Sequence, residues 1–346
     1  MDGQMKALMK HHAGRGAKLV NVPIPGIGPH DVLIRVKATS ICGTDVHIYQ
    51  WDDWAKSRVK PPYVFGHEFS GEVVEVGSGV SRVKVGDHVS CETHIVCGKC
   101  PACRKGEAHV CYNTEIIGVD RAGCFAEYVA MPEDNLWINS KEVPHEYASI
   151  MEPMGNAVHT ALSGPIVGKD VAVIGCGPIG LIAVSVAQAA GARRVFALDI
   201  NPYRLELAQS IGASSTIHSG EVDAVAEIRS HTSGYGVDVV LEMSGHPHAI
   251  QQGFSMVAPG GRVSMLGLPT RSVELDIAND VVFKGITVHG IVGRRMYETW
   301  EQTAGLLESG KVEVEKIITH RFSLEEFEKG FDLMMRGESG KVVLFP

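Results

Sequence analysis

A short apolar run followed at once by a glycine-rich turn constrains the fold of this chain most. Residues 171–174 read Val-Ala-Val-Ile, which is typical of a buried strand. The next six residues, Gly175-Cys-Gly-Pro-Ile-Gly180, fit the pattern G-x-G-x-x-G, and a helix is predicted over 178–190. Strand-like and helical runs alternate from there on, which predicts a parallel sheet with helices packed on its faces.

The same turn predicts a dinucleotide site. Its glycines permit a tight turn and a close approach of the backbone to a pyrophosphate, and the following helix offers free N–H groups. Asp199 lies near the offset expected for a carboxylate that binds the ribose hydroxyls, which favours NAD over NADP. Arg204 is near enough to reach the adenosine end. A flavodoxin-like turn without a dinucleotide is the alternative, and the combination of strand, helix and acid favours NAD. The predicted contacts are Gly175, Gly177, Ile179, Gly180, Asp199 and Arg204.

The length of 346 residues predicts two domains rather than one. Before residue 155, short runs rich in valine alternate with polar residues and are broken by glycines, which predicts an antiparallel, barrel-like domain. The net charge of −8 excludes a general affinity for nucleic acid or anionic membranes. Apolar runs stay far below the roughly 20 residues that span a bilayer, and the N-terminus lacks the apolar stretch of a signal peptide. We therefore expect a cytoplasmic protein without nucleic-acid or membrane partners.

Four of the eight cysteines form a tight cluster, which predicts a structural zinc site. They are Cys97, Cys100, Cys103 and Cys111. Such a cluster in a long chain indicates a metal rather than a disulfide framework. Four thiolates close a tetrahedral zinc site and leave no position for substrate. An iron–sulfur cluster is the competing interpretation, although nothing else in the sequence indicates electron transfer.

A second set of metal-ligating residue types is scattered along the chain. A catalytic zinc takes three protein ligands and keeps a fourth position open. Cys42 and His67 are candidates for two of them, and Glu68 or Glu152 for the third. Neighbours on a strand point to opposite faces, so this reasoning prefers Glu152 and makes Glu68 an exchanging carboxylate. Taken singly, a cysteine is usually part of a core, and spacing alone does not assemble this set.

Several segments together resemble the zinc-containing medium-chain alcohol dehydrogenases over nearly the whole chain. They are Cys42-Gly-Thr-Asp45, Gly66-His-Glu-Phe-Ser-Gly71, Gly86-Asp-His-Val89, the four-cysteine segment and the glycine turn. The resemblance implies an α/β protein with a GroES-like, partly open β-barrel catalytic domain, residues 1–155 and 294–346. That domain would carry the structural zinc lobe at about 91–113. A Rossmann domain with a doubly wound parallel sheet would cover 156–293. The resemblance also implies NAD, two Zn²⁺ per subunit (one catalytic, one structural) and a homotetramer. It implies an active site in the cleft between the two domains.

Four further segments, 152–160, 241–245, 293–300 and 318–322, resemble the branch that oxidises the 3-hydroxyl of L-threonine to 2-amino-3-oxobutanoate. This resemblance implies zinc-assisted hydride transfer to NAD and a proton relay through Thr44 and His47. Without the resemblance, we would interpret Thr44 as a hydroxyl that stabilises a turn or caps a helix, and His47 as a surface histidine. Glu152 is implied as a further catalytic group, and His94 and Arg294 as substrate contacts. The residues implied to flank the nicotinamide are Leu266, Gly267, Leu268, Ile291 and Val292.

Two alternatives remain from the sequence. A sorbitol-type polyol dehydrogenase shares the Cys/His/Glu set of ligands. A catalytically inactive NAD-binding or structural paralogue is the non-enzyme alternative. Such a paralogue is expected to lose zinc ligands or the relay, and this chain retains both.

Overall fold

The structure is a computed structural model that describes residues 3–346, and it separates into two compact units. The first unit runs to Pro153 and resumes at Ile318, and the second is Met154–Ile317. The predicted α/β class, with an antiparallel sheet in one unit and a parallel sheet in the other, is confirmed. Within residues 3–346, no helix is both long and apolar enough to cross a membrane.

The strands are, in chain order, β1 Gln4–Lys10, β2 Lys18–Pro23, β3 Asp31–Ser40, β4 Tyr63–Val64, β5 Glu68–Val76, β6 His88–Cys91, β7 His94–Ile95, β8 Glu115–Ile116, β9 Tyr128–Pro132, β10 Leu136–Ile138, β11 Asp170–Ile174, β12 Arg194–Asp199, β13 Ser215–His218, β14 Val237–Glu242, β15 Val257–Met265, β16 Thr287–Gly290, β17 Ile318–Ser323 and β18 Lys341–Phe345. The α-helices are α1 Gly43–Gln50, α2 Asp53–Arg58, α3 Pro101–Arg104, α4 His145–Ala148, α5 Met151–Leu162, α6 Pro178–Ala189, α7 Pro202–Ser210, α8 Ala224–His231, α9 Pro247–Met256, α10 Glu298–Glu308, α11 Val314–Ile317 and α12 Phe327–Arg336. Short 3₁₀ turns span Ala108–Val110, Glu133–Asn135 and Leu324–Glu326, and a π-helical turn spans Ile277–Val282.

The first unit is built around the long antiparallel pairing of β3 with β5. Its main sheet has the order β10-β6-β5-β3-β18-β17, and β9 also pairs with β3. Most side chains of β3 are buried, and Val32, Ile34 and Val36 pack into one apolar cluster of the first unit. The backbone of β3 lies so close to Gly71 on β5 that only glycine fits there. A Cβ at Gly71 would lie 2.3 Å from the carbonyl oxygen of Arg35. The C-terminal strand β18 closes this sheet by pairing with the end of β3.

The second unit has a six-stranded parallel sheet in the order β13-β12-β11-β14-β15-β16. All five residues of β11 are buried, which explains its continuous apolar run in the sequence. The helix α6 begins with Pro178 after the N-cap Gly177, a favourable position for a residue without an N–H. Because all strands run in parallel, the carboxyl ends of β11, β12 and β14 meet at one edge, where ligands of such sheets bind.

The second domain boundary lies later in the chain than the predicted residue 294. The helices α10 and α11 belong to the second unit, which ends at Ile317. There α11 packs on α6 and α7, and the Lys316 ammonium donates a hydrogen bond to the Ser210 carbonyl at 3.3 Å. A helical pattern in the sequence does not indicate which sheet the helix covers. The boundary near residue 294 was therefore predicted too early, because packing assigns α10 and α11 to the second unit.

A buried carboxylate joins two strands at the amino-terminal edge of the parallel sheet. Asp170 Oδ1 accepts hydrogen bonds from Arg193 Nε at 2.9 Å and from Arg194 Nε at 3.0 Å. Burial alone raises the pKa of Asp170, but the hydrogen bonds from Arg194 and Arg193 outweigh that effect and lower the pKa to about 2. The ionised form of Asp170 therefore stabilises the second unit at neutral pH.

We predict that Asp170→Asn lowers the free energy of unfolding at pH 7 by about 1–2 kcal/mol. The pKa of Asp170 is lower in the folded chain than in the unfolded chain, so the stabilisation is present above about pH 4. It is lost as the pH falls through about 2, the folded value. Urea unfolding of the wild type and of Asp170→Asn at pH 7 and at pH 2.5 measures the loss of stability at each pH. Glu221→Gln, at a carboxylate that is 73% exposed, serves as the control without effect. An equal loss at both pH values would contradict this assignment.

Candidate metal centres and dinucleotide site

Three of the scattered ligand residues lie together in the first unit. The ligand atoms of Cys42, His67 and Glu68 all lie within 4.8 Å of one another. Cys42 is the N-cap of α1, directly after β3. Glu68 opens β5 and pairs with Ser40 at the end of β3, so the β3–β5 ladder brings Cys42 and Glu68 to the same place.

The expectation that His67 and Glu68 point to opposite faces is wrong. His67 precedes β5, and Gly66 before it has a φ of +90°, so the alternation of a strand does not apply there. A Cβ at Gly66 would lie 2.5 Å from the Phe125 ring, so this turn requires glycine. The three-residue group contains Glu68 and not Glu152. The Glu152 carboxylate, at the start of α5, accepts a hydrogen bond from Thr93 Oγ1 at 3.1 Å.

The charge balance of this cluster fits a divalent cation. Asp45 and Glu68 are fully buried and Glu152 is 6% exposed, and Lys341 is buried beside them. Buried carboxylates destabilise a fold unless cations and hydrogen bonds compensate them. Glu68 Oε1 is buried and has no hydrogen-bond partner in the structure, so it is an atom that a cation would satisfy. A thiolate, an imidazole and a carboxylate are donors that zinc accepts.

The other oxygen of Glu68 is held by the protein. Lys341 Nζ and Ser40 Oγ both donate to Glu68 Oε2, and Lys341 Nζ also donates to the Ile41 carbonyl at 3.1 Å. This leaves Oε1 as the oxygen that can turn to an ion. This role of Lys341 could not be predicted from the sequence, because Lys341 lies 300 residues from Ile41 and begins an apolar strand.

Asp45 orients the cluster from the first turn of α1. Its Oδ2 accepts a hydrogen bond from the Cys42 N–H at 2.9 Å, and its Oδ1 lies 3.6 Å from His67 Nδ1. Burial raises the pKa of Asp45 to about 6, although His67 opposes the shift. A carboxylate behind a ligating histidine fixes the ring and its tautomer. The segment Cys42–Asp45 was singled out in the sequence. The approach of Asp45 to His67 could not be predicted there, because His67 lies on a distant segment just before β5.

The predicted relay residues lie one turn apart on α1. Thr44 is partly exposed and His47 is exposed. His47 Nδ1 is 2.5 Å from Asp52 Oδ2, and Asp52 is the N-cap of α2. The pairing gives the imidazole a fixed orientation toward solvent. Asp52 was not predicted, since its role depends on how α2 follows α1.

The four-cysteine lobe has the geometry of a single tetrahedral ion. The sulfur separations are 3.5 Å for Cys100–Cys103, 3.6 Å for Cys97–Cys111 and 3.8 Å for Cys100–Cys111. Four thiolates at about 2.3 Å from a tetrahedral zinc lie about 3.8 Å apart. A cluster of several irons would hold the sulfurs farther apart, so the spacing favours zinc over the iron–sulfur alternative.

Hydrogen bonds around this lobe stabilise the thiolate form that binds a metal. The Asn113 side chain donates to Cys97 Sγ at 3.5 Å, and the Asn113 N–H donates to Cys111 Sγ at 3.3 Å. The Asn113 amide and neighbouring backbone N–H groups lower the pKa of Cys97 to about 6. Throughout residues 3–346 the cysteines are free thiols, as expected for a metal site.

The glycine turn of the second unit is shaped by close backbone contacts. Gly175 has a φ of +92°, and a Cβ at Gly180 would lie 1.9 Å from the Gly175 carbonyl oxygen. A Cβ at Gly177 would meet nothing within 4 Å, so the space over the start of α6 is open. Open space above free N–H groups at a helix start fits a pyrophosphate.

Asp199 ends β12 beside this turn and is partly used by the backbone. Its Oδ2 accepts a hydrogen bond from the Cys176 N–H at 2.6 Å, and its Oδ1 accepts from Ile200 and Asn201 at 2.8 and 2.9 Å. The carboxylate therefore holds the glycine turn in addition to its predicted contact with a ribose. Arg204 lies in the first turn of α7, and Ile179 in the first turn of α6.

The residues predicted beside the nicotinamide follow two neighbouring strands of the parallel sheet. Residues 266–268 continue from β15, and Ile291 and Val292 continue from β16. The Ile291 N–H donates to the Met265 carbonyl at 2.9 Å, which ties the two segments together. Leu268 is 87% exposed and Ile291 is buried. Both segments lie at the carboxyl edge of the sheet.

The two predicted substrate residues differ in their surroundings. His94 Nδ1 lies 3.1 Å from Oε1 of the fully buried Glu92, which orients the ring. Arg294 is fully buried, and its Nη1 donates to Asn156 Oδ1 at 3.1 Å. The neighbouring Arg295, by contrast, is exposed to solvent.

We predict that the two clusters hold separate zinc ions. Cys97→Ser is expected to lower the zinc content from about two to about one per chain and to reduce thermal stability, because a structural zinc contributes folding energy. Cys42→Ser is the matched comparison: it should also lose about one zinc and abolish turnover, and it should lower the melting temperature too, because the buried carboxylates then lack their cation. Elemental analysis and calorimetry measure these results. Retention of two zincs by either variant would remove that cysteine from its proposed site.

The chain is similar to known proteins over its whole length. The alcohol dehydrogenase GroES-like domain model matches residues 28–141, and the zinc-binding dehydrogenase model matches residues 178–309. An L-threonine 3-dehydrogenase of Bacillus licheniformis is 60% identical over 346 residues, with 100% of both chains covered. Among solved structures, an alcohol dehydrogenase from Thermus sp. ATN1 has a TM-score of 0.91 at 34% identity, covering 99% of both chains. A zinc-binding dehydrogenase from Sinorhizobium meliloti 1021 bound to NADP has a TM-score of 0.91 at 31% identity, covering 99% of this chain and 100% of that chain.

Proposed function

The chain belongs to the zinc-containing medium-chain alcohol dehydrogenase family, and we propose that it oxidises the 3-hydroxyl of L-threonine with NAD to give 2-amino-3-oxobutanoate. The observation that carries the proposal is full-length similarity at 60% identity to a protein named L-threonine 3-dehydrogenase. The assembled Cys42, His67 and Glu68 set supports an active enzyme over an inactive paralogue.

Cys42, His67 and Glu68 would hold the catalytic zinc, with Asp45 and Lys341 fixing two of these ligands. When bound, zinc supplies a Lewis acid that favours ionisation of the substrate hydroxyl. When bound, NAD accepts the hydride that leaves the substrate carbon. The protein's own task is then to orient the substrate, exclude water and remove one proton.

Thr44 and His47 would remove that proton. The Thr44 hydroxyl both accepts and donates, so it can take the proton from the substrate hydroxyl and pass its own onward. The exposed ring of His47 can release the proton to solvent. Asp52 Oδ2, at 2.5 Å from Nδ1, holds the ring in one orientation for this transfer.

The ammonium and carboxylate of threonine need partners of opposite charge. We assign His94, oriented by Glu92, and Glu152 to the substrate side of the site. Arg294 stays a candidate for the substrate carboxylate, with its buried guanidinium donating to Asn156 Oδ1. The imidazole of His94 and the carboxylate of Glu152 fit the charged groups of an amino acid better than the neutral hydroxyls of a polyol.

Asp199 supports NAD rather than NADP as the cofactor of this chain. Its carboxyl group accepts three backbone hydrogen bonds, and a carboxylate at the end of this strand would repel a 2′-phosphate. The similar protein from Sinorhizobium meliloti was bound to NADP, so the preference has to be measured for this chain.

We predict that kcat/KM for L-threonine with NAD exceeds that for sorbitol, for 2,3-butanediol and for L-threonine with NADP by at least about 100-fold. A site that hydrogen-bonds the polar groups of one substrate rejects analogues that lack them by large factors. The absorbance of the reduced cofactor measures the rate for each combination of substrate and cofactor. A preference for polyols would refute the threonine assignment, and a preference for NADP would refute the role of Asp199.

We further propose a homotetramer located in the cytoplasm. Free cysteines that include a four-thiolate set suit a reducing compartment. The edge strand β16 and the segment before it expose apolar side chains: Ile277 57%, Val282 64%, Phe283 80% and Val288 42%. Unpaired strand edges and apolar patches mark protein interfaces, so this edge is assigned to one of the contacts between subunits.

We predict that the wild-type chain has the mass of a tetramer in solution and that Phe283→Glu lowers it, because a charge would be buried in the contact. Light scattering after size exclusion measures the mass. Tyr235→Glu places the same charge on a side chain that is 76% exposed and should leave the mass unchanged. A monomeric wild type, or no effect of Phe283→Glu, would contradict this interface.

A further inference from the structure

Glu242 is a fully buried carboxylate that the proposed reaction does not use. It ends β14, which lies between β11 and β15 in the parallel sheet. Its position is therefore at the carboxyl edge, between the strand that leads into the glycine turn and the strand that leads into residues 266–268. A buried carboxylate at such a place needs several hydrogen bonds to be stable.

The carboxylate organises the turn that follows it. Oε1 accepts hydrogen bonds from the Ser244 N–H at 2.9 Å, from Ser244 Oγ at 2.5 Å and from the Gly245 N–H at 3.0 Å. Oε2 lies 3.3 Å from the Gly245 N–H. Ser244 Oγ in turn accepts from the His246 N–H at 3.0 Å. The backbone from 243 to 246 is thus wrapped around one side chain.

This turn is packed against the dinucleotide turn on one side. A Cβ added at Gly175 would lie 2.9 Å from Ser244 Cα. The Met243 N–H also donates to the Ile174 carbonyl at 2.8 Å, directly before Gly175. A shift of Ser244 would therefore displace the first glycine of the G-x-G-x-x-G motif or open a gap beside it.

The same turn is packed against residues 266–268 on the other side. A Cβ at Gly267 would lie 2.1 Å from the Gly245 nitrogen and 2.6 Å from Glu242 Oε2. A Cβ at Gly245 would lie 2.6 Å from the Leu268 carbonyl oxygen. The backbone carbonyl of Glu242 accepts hydrogen bonds from the N–H groups of Leu266 at 2.9 Å and Gly267 at 3.2 Å.

We propose that Glu242 is a positioning residue for the dinucleotide, which fixes the spacing between the Gly175–Gly180 turn and residues 266–268 through the turn at 243–246. The assignment rests on the proposed use of NAD. Glu242 does not touch the reacting atoms in this role. It determines whether the two segments that hold opposite ends of the cofactor keep their separation.

Glu242→Gln tests the proposal, because the amide keeps the size of the side chain but replaces one oxygen by an NH2 group, which removes the charge and cannot accept from the Gly245 N–H. We expect a rise of about tenfold in both Kd for NADH and KM for NAD, with kcat and KM for L-threonine changed less than about twofold. Ser244→Ala removes one donor and is expected to raise Kd by about threefold. Fluorescence titration with NADH gives Kd independently of turnover.

Hydrogen exchange in the protein without cofactor gives a second readout. Glu242→Gln should speed amide exchange at 243–246 and 266–268, while exchange in α6 beyond its first turn stays unchanged. Asp170→Asn is the matched control, since it removes a buried, hydrogen-bonded carboxylate from the opposite edge of the same sheet. It should lower stability without changing Kd for NADH.

The outcomes separate this proposal from the proposed function. If the wild type does not bind NADH, the use of NAD is wrong and the role of Glu242 fails with it. If the wild type binds NADH and Glu242→Gln leaves Kd and exchange unchanged, only the role of Glu242 is wrong. An equal rise of Kd in Glu242→Gln and Asp170→Asn would also overturn it, because the effect would then reflect general stability.

Discussion

Buried negative charge is the constraint on which the first unit depends. The pairing of β3 with β5 places Glu68 next to Cys42, and α1 adds Asp45 behind His67. Carboxylates removed from water require cations or donors, and Lys341 satisfies only one oxygen of Glu68. A divalent ion therefore belongs to the charge balance of the folded unit. The same requirement appears at the cysteine lobe, where Asn113 and backbone N–H groups stabilise thiolates beside one another.

The proposed dinucleotide site of the second unit depends mainly on the shape of the backbone. Three turns at the carboxyl edge of the parallel sheet approach one another so closely that Gly175, Gly245 and Gly267 leave no room for a Cβ. Free N–H groups can then point at phosphates without a lysine or arginine. Buried carboxylates in this unit hold backbone in place: Asp199 holds the glycine turn, and Glu242 holds the turn beside it.

Features encoded by neighbouring residues could be predicted from the sequence, and features made by distant strands could not. The four cysteines lie within one short segment, and the glycine turn follows its strand directly, so both were predicted with their ligands. The catalytic set needed a family resemblance, because Cys42 and His67 meet only through the pairing of β3 with β5. Strand alternation favoured Glu152 because it was applied one residue before the strand begins, whereas the structure groups Glu68 with Cys42 and His67. Lys341 and the boundary at Ile317 depend on tertiary packing alone.

The position of Lys341 in the chain has a consequence for biosynthesis. Its strand, β18, is synthesised after the other strands of residues 3–346, so Glu68 and Ser40 emerge from the ribosome far earlier than Lys341. Until β18 is made, Glu68 lacks its lysine and the end of β3 lacks one of its partners. Contacts of such long sequence separation form late and slowly. The contact between Lys341 and Glu68 is therefore one of the last that this metal site can acquire.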